Sequence, residues 1–139
     1  MKTIIASVLI LIFLGIAAVH FYWALGGKKW ANAALPTTED GGRLLFKPRF
    51  FETAAVAIGF VGFAYITACS VNLLNHSSLL VQYGSWFIPV VFLLRAIGEF
   101  RYVGFFKKIK DTSFGQMDTQ YYSPLCLGIA ILSLIINYL

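Results

Sequence analysis

The sequence contains few charged residues and few cysteines. Only 12% of its 139 residues are Asp, Glu, Lys or Arg, whereas a soluble domain carries about 25%. The two cysteines, Cys69 and Cys126, lie far apart and match neither a metal-ligand nor a redox spacing. We therefore expect no disulfide-stapled secreted module and no metal site, and we interpret both cysteines as small buried apolar side chains.

The common catalytic motifs are also missing. The sequence contains no nucleophilic triad signature, phosphate-binding glycine loop, haem motif or zinc-ligand spacing. It therefore identifies no cofactor. The 11 Lys and Arg outnumber the 6 Asp and Glu, for a net charge of +5. Because the basic residues lie beside apolar segments, we interpret them as signals of membrane orientation and expect no nucleic-acid partner.

Hydrophobic residues, in contrast, make up 59% of the chain, which is more than a small soluble domain can bury. A helix needs ~20 apolar residues to cross a bilayer. The sequence predicts one all-α domain over 1–139, a polytopic four-helix transmembrane bundle. The predicted spans are 4–25, 53–74, 79–106 and 124–139, with a loop at 26–50. The first apolar run continues past any plausible signal-peptide cleavage site, so we interpret it as an uncleaved helix.

The distribution of Lys and Arg predicts the orientation of the bundle. The loop at 26–50 and the stretch 101–110 at and beyond the end of the third span are basic, whereas residues 75–78 and the C-terminus contain no Lys or Arg. Basic loops stay in the cytoplasm, so we expect both termini outside; only Lys2 favours the reverse. The basic residues are Lys28, Lys29, Arg43, Lys47 and Arg49 in the first segment and Arg101, Lys107, Lys108 and Lys110 in the second.

Polar and aromatic residues that could bind a ligand gather toward this predicted cytoplasmic side. An ionised side chain at a helix centre costs about 2.5–3.5 kcal/mol on insertion scales, so Arg95 and Glu99 should face the bundle interior. They lie four residues apart, and we expect them to pair along one helical face. Arg101 is expected to contact a lipid phosphate or Asp118. The candidate ligand-binding residues are His20, Tyr22, Trp23, Glu52, Arg95, Glu99, Arg101, Tyr102, Asp118 and Tyr122.

A purely structural interpretation of these residues is the alternative. Arg95 and Glu99 would then only lock the third helix against its neighbours, and His20 would only donate one hydrogen bond to a carbonyl. Lys107, with the other basic residues near it, would contact anionic lipid. The loop at 26–50 fits either a lid over the polar cluster or a solvated connector.

Three motifs resemble those of a known family. They are HFYWALGG at the end of the first span, RAIGEFRYVGFFKK on the third and DTQYYSPLC before the fourth. They are similar to motifs of small bacterial four-helix integral membrane proteins catalogued as a domain of unknown function. The resemblance covers nearly the whole chain. It implies a multi-pass protein of the bacterial cytoplasmic (inner) membrane, and it implies no activity, substrate or cofactor.

Three functions remain open at this point. The first is binding of an anionic or amphipathic ligand, or a lipid head group, in a polar pocket near the cytoplasmic leaflet. The second is a small intramembrane isomerase or hydrolase that acts on a lipid-soluble substrate, with His20 and Glu99 as acid and base. The third is a proton-coupled transporter, which the apolar outer half of the spans disfavours. Membrane lipids and an amphipathic small molecule are the expected partners; a homo-oligomer is compatible with the sequence but not required.

Overall fold

The computed structural model describes residues 1–139, and it is all-helical. Four of its helical segments are long and apolar enough to cross a membrane, as the sequence predicts, so the protein is a multi-pass membrane protein. A π-helical turn at Asp118–Tyr122 joins the last two α-helices into one segment, Ser113–Tyr138. The α-helices are α1 Lys2–Ala24, α2 Ala31–Ala34, α3 Phe50–Ser70, α4 Leu79–Ile97, α5 Ser113–Met117 and α6 Ser123–Tyr138.

The four spanning segments are arranged as two pairs. Helix α1 packs mainly against α3, and α4 packs mainly against α6, with fewer contacts between the pairs. The shared core contains Leu9 and Phe13 from α1, Ile88 and Phe92 from α4, and Ile129 from α6. Large apolar side chains on the other helix faces are exposed, as expected where the solvent is lipid.

The bundle has two ends with different composition. At one end lie residues 25–49 and 98–112, which carry most of the Lys and Arg; we call this the basic end. At the other end lie both chain termini and the loop 71–78, which we call the Asn75 end. The candidate site lies at the basic end.

Helix α4 ends at Ile97, nine residues before the predicted limit at 106. The cause is Gly98, which takes a φ of +82° at the helix C-cap, a conformation that glycine adopts without steric cost. The following segment folds back on the helix end, where the amide of Phe105 donates to the carbonyl of Ala96. The predicted continuous helix over 79–106 is therefore wrong beyond Ile97.

The last spanning segment begins earlier than predicted. The sequence places its start at Pro124, which leaves only 16 residues, but the helical segment begins at Ser113. The Thr112 hydroxyl caps it by accepting from the amide of Gly115. Pro124 lies in the first turn of α6, but the π-helical turn continues the helix across it. The segment of 26 residues is long enough to cross a bilayer without local thinning.

The basic loop 25–49 is folded and contacts the bundle. Helix α2 packs against α5, and the Tyr122 hydroxyl donates to the carbonyl of Ala33 at 3.3 Å. A tight turn follows, in which Thr38 and the amide of Gly42 donate to the Asp40 carboxylate. These hydrogen bonds, that of Thr38 first, lower the pKa of Asp40. The first part of the loop therefore packs against the bundle through α2.

Candidate functional site

A buried carboxylate, Asp118, organises the basic end. It is fully buried, and its oxygens accept four hydrogen bonds. The donors are Arg95 Nη2 at 2.7 Å, Lys107 Nζ at 2.9 Å, the Gly104 amide at 2.9 Å and Ser123 Oγ at 3.0 Å. All four hydrogen bonds involve an ionised acceptor, which makes them stronger than neutral ones. Asp118 therefore ties α4, the segment 98–112 and α6 together.

Local backbone geometry brings these donors to one point. Arg95 comes from the last turn of α4, and Gly104 and Lys107 come from the segment that folds back after Gly98. The π-helical turn widens the helix so that residues five apart lie on one face. This places Ser123 beside Asp118, whereas a regular α-helix would turn them away from each other.

The cluster contains more positive than negative charge. Lys107 is only 2% exposed and, besides Asp118, donates to the carbonyl of Gly104 at 3.0 Å. Arg95 and Lys107 supply two positive charges against the single carboxylate, which leaves a net charge of +1. In addition, Arg95 Nη1 is buried and has no hydrogen-bond partner. Buried polar groups are normally paired, so this nitrogen is an unused donor.

Arg95 also lines a large cavity of about 670 Å³ between the two helix pairs. Side chains of α1, α3, α4 and α6 form its walls, and Ala34 of α2 and Phe114 of α5 lie at its basic end. Most of the lining is apolar; the polar members of the lining are His20, Trp23, Arg95, Tyr122 and Cys126.

Three of these polar side chains already have partners. His20 Nδ1 lies 2.9 Å from the carbonyl of Ile16, Trp23 Nε1 donates to the carbonyl of Lys29 at 2.8 Å, and Tyr122 donates to Ala33. The His20 ring also meets the edge of Trp23 at 5.1 Å. Arg95 is therefore the one Lys or Arg side chain that lines the cavity, and it is 32% exposed.

The structure brings together only part of the predicted ligand-binding set. His20, Trp23, Arg95 and Tyr122 line the cavity, and Asp118 lies directly behind Arg95.

The other predicted ligand-binding residues lie outside this cavity. The Glu52 carboxylate caps the N-terminus of α3 by accepting from the Arg49 amide. Tyr22 is 43% exposed, and its hydroxyl accepts from the Lys29 amide at 3.5 Å. Tyr102 lies in the segment after α4, where the Arg101 guanidinium stands 5.2 Å from its ring.

The predicted Arg95–Glu99 pair is wrong. Glu99 lies beyond the end of α4, so the spacing of four residues no longer places the two side chains on one helical face. The Glu99 carboxylate is exposed and accepts from the amides of Tyr102 and Val103. Arg101 does not reach Asp118 either; it lies 3.6 Å from Glu39 on the surface.

The acid–base pair postulated for an enzyme is not assembled. His20 lines the large cavity, whereas Glu99 lines a separate surface cleft with Glu39 and Arg101. No other carboxylate lines the cavity with His20. A proton donor and acceptor must both reach the substrate, so this geometry gives the His20–Glu99 mechanism no support.

Lys107 is the charged residue of the cluster that the sequence interpretation missed. It occurs in the run KKIK with Lys108 and Lys110, which are exposed, and composition does not distinguish it from them. The available signal was the pair Gly98 and Gly104, since two glycines at the end of an apolar run suggest a helix stop and a turn. Such a turn would have placed the next residues back against the bundle.

Comparison with known proteins agrees with the motif resemblance. No curated protein and no solved structure matches the chain. One family's sequence model matches residues 13–133, which include most of the four-helix core, the cavity and the complete Asp118 cluster. The chain therefore belongs to the family described as Protein of unknown function (DUF3995).

Proposed function

We propose that this protein binds an amphipathic anion, with the acid group of the ligand on Arg95 and its apolar part in the cavity. The observation that carries the proposal is Arg95, the one Lys or Arg at the wall of an apolar cavity, whose Nη1 has no hydrogen-bond partner. Leaving a buried donor unsatisfied costs about 1–3 kcal/mol, and more for a charged group. An anionic oxygen would satisfy this donor.

The charge of the cluster favours an anion over a neutral acceptor. Asp118 balances only one of the two cations, Arg95 and Lys107, so the cluster keeps a net positive charge beside the cavity that Arg95 lines. A second negative charge at Arg95 would neutralise it. Because the surroundings have a low dielectric constant, this attraction is stronger than it would be at the surface.

The cavity wall favours an apolar chain attached to the acid group. Phe60, Phe92 and Ile129 are among its lining side chains, and burial of each CH2 group contributes about 0.8 kcal/mol. A free inorganic anion would gain none of this. Two sources share the required chemistry, namely a membrane lipid with an anionic head group and a free single-chain acid.

The membrane orientation predicted from the basic loops gives the depth of the proposed site in the bilayer. With the basic loops in the cytoplasm, Arg95 lies near the cytoplasmic leaflet, and both termini face outward. The family resemblance supports the bacterial inner membrane as the location. Helix α2 in the loop 25–49 then lies on the cytoplasmic side of the site.

The two free cysteines provide a direct test of binding. Cys126 lines the cavity, so a ligand in the cavity should slow alkylation of Cys126 by a maleimide. Cys69 is buried toward the other end of the bundle, so the measurement uses a Cys69→Ser variant in which only Cys126 can react. In an uncharged detergent, we expect decanoate to protect Cys126 at lower concentrations than decanol. Lysophosphatidylglycerol in a parallel titration, and native mass spectrometry of the purified protein, distinguish a lipid from a free acid.

Arg95→Gln should weaken decanoate binding by about 10- to 150-fold, because a hydrogen bond to a charged group contributes about 1.5–3 kcal/mol. Decanol should bind equally to the wild type and the variant. The fold should survive, since Lys107 and Asp118 remain as a neutral pair. Arg101→Gln is the matched control, because Arg101 is an exposed cation at the same end. Unchanged decanoate protection in a folded Arg95→Gln variant would disprove the proposal.

A further inference from the structure

A second cavity of about 500 Å³ opens at the Asn75 end of the bundle. Unlike the first, it is lined mainly by polar side chains from the loop 71–78 and the neighbouring helix ends. Among them are Lys2, Asn72, His76, Gln82 and Asn137. The sequence interpretation regarded this half of the spans as almost wholly apolar, so the polar cavity is a finding of the tertiary structure.

This second cavity reaches into the helices. Ser70, Ser85 and Asn137 line both it and a small void of about 10 Å³ below it, which is roughly the space of one water molecule. Ser133 lines the void, is only 6% exposed, and its buried Oγ has no hydrogen-bond partner. The void therefore continues the polar lining of the second cavity one step further into the bundle.

The small void and the large apolar cavity end about one helical turn from each other. On α3, Phe63 lines the large apolar cavity and Thr67 lines the void; on α6, the corresponding residues are Ile129 and Ser133. Each pair is four residues apart, or about 6 Å at 1.5 Å per residue. On α4 the separation is three residues, from Ile88 to Val91.

A thin apolar layer separates the cavities. It consists of Leu9, Phe13, Ile88 and Phe92, each at most 5% exposed. The rings of Phe13 and Phe92 lie 5.7 Å apart. A hydrophobic constriction of this kind closes a pathway to water and ions without a covalent or ionic lock.

Each cavity is lined by one Lys or Arg and by no acidic side chain. Lys2 is the charged side chain of the polar cavity and Arg95 that of the apolar one, and no Asp or Glu lines either. Rings or clusters of basic residues favour anions in membrane pathways. A cation would have to leave water for two positively charged, partly apolar spaces.

From these observations we propose that the two cavities are halves of one route through the bundle, along which the protein carries an amphipathic anion across the membrane. The layer at Phe13 is the closed gate, and the weaker contact between the α1–α3 pair and the α4–α6 pair is where it opens. This inference rests on the proposed function, because Arg95 is the anion-binding residue of the inner half. It adds a transport step that binding alone does not require.

The test is uptake of octanesulfonate into proteoliposomes that contain the full-length protein. A sulfonate stays ionised, so it crosses a bare bilayer slowly, unlike a protonated carboxylic acid. We expect uptake above that of protein-free vesicles, and several-fold faster uptake with Phe13→Ala, which removes a ring from the gate. Phe87→Ala is the matched control, since Phe87 is 57% exposed on the bundle surface and its loss should leave uptake unchanged.

A second pair of variants addresses the other half of the route. Ser133→Leu fills the void and should slow uptake several-fold, whereas Ser133→Ala keeps the space and should not. Size-exclusion chromatography checks that each variant is folded. If a Ser133 variant does not fold, a thiol-accessibility measurement takes its place. Ser133→Cys is made in a Cys69→Ser/Cys126→Ser background, so that it carries the single thiol. A charged, membrane-impermeant methanethiosulfonate added from the Asn75 side should modify this thiol.

The possible results distinguish failure of the transport proposal from failure of the binding proposal. Uptake equal to that of protein-free vesicles, with Cys126 still protected by decanoate, would overturn the route and leave the proposed function intact. Equal uptake by folded Ser133→Leu and wild type, or an unreactive Ser133→Cys thiol, would also overturn it. Loss of both uptake and Cys126 protection would overturn both proposals.

Discussion

Replacing Asp118 with Asn is expected to destabilise the folded protein by about 3–5 kcal/mol, the loss typical when one partner of a buried ion pair is removed. The substitution leaves Arg95 and Lys107 with no carboxylate, so the cluster goes from a net charge of +1 to +2. Lys107 is 2% exposed and cannot reach solvent without local unfolding. An Asn side chain is nearly the same size as Asp, so the effect reports charge and hydrogen bonding.

Unfolding of the purified protein in a mild detergent, by heat or by added denaturing detergent, measures this loss. Asp111→Asn is the control, because Asp111 is an exposed carboxylate and surface substitutions usually stay within about 0.5 kcal/mol. Lys107→Met should partly restore the stability of Asp118→Asn, since it removes the buried charge that lacks a partner. Equal stability of Asp118→Asn and Asp111→Asn would show that the cluster does not hold the basic end together.

Gly104→Ala is expected to destabilise the protein by at least about 2–3 kcal/mol, since a left-handed backbone alone costs a non-glycine residue about 1–2 kcal/mol. Gly104 has a φ of +90°, and an added Cβ would lie 2.3 Å from the carbonyl oxygen of Ile97 and 2.5 Å from the Cα of Gly98. Neither atom belongs to a flexible side chain. The backbone would have to move, and the Gly104 amide would then lose its hydrogen bond to Asp118.

Gly128→Ala is the matched control, because Gly128 lies inside α6 and an added Cβ would meet nothing within 4 Å. We expect this variant to be as stable as the wild type or up to about 1 kcal/mol more stable, given the higher helix propensity of Ala. Gly104→Ala should also decrease decanoate protection of Cys126. Displacement of the Gly104 backbone would shift Asp118, and with it the guanidinium of Arg95, because both groups donate hydrogen bonds to the Asp118 carboxylate. If both glycine variants unfold alike, the close packing of the segment after α4 has no energetic importance.

The membrane architecture was accessible from the sequence because it depends on composition along short stretches. Long apolar runs, such as 4–25 and 53–74, predict spanning helices whatever their neighbours are. Both helices lie within a few residues of these limits. The motif resemblance was confirmed by the family match over residues 13–133.

The candidate site was accessible only in part. The sequence placed His20, Arg95 and Asp118 in one polar region, because ionisable residues in a bundle must avoid lipid. It assigned Arg95 the wrong partner, Glu99, because that pairing assumed a helix that continues past Gly98. It also left Lys107 on the surface, since a lysine near a membrane is usually a lipid contact.

By itself, the sequence determined that this protein crosses a membrane with four apolar helices. The free energies of transferring side chains from water into lipid add up along each apolar run, whatever the rest of the chain does. Tertiary structure decided where those helices stop, which cations bind Asp118 and how two cavities come to face each other across Phe13. Those features join residues from different helices, and contacts between distant parts of the chain depend on backbone turns and packing that no single stretch encodes.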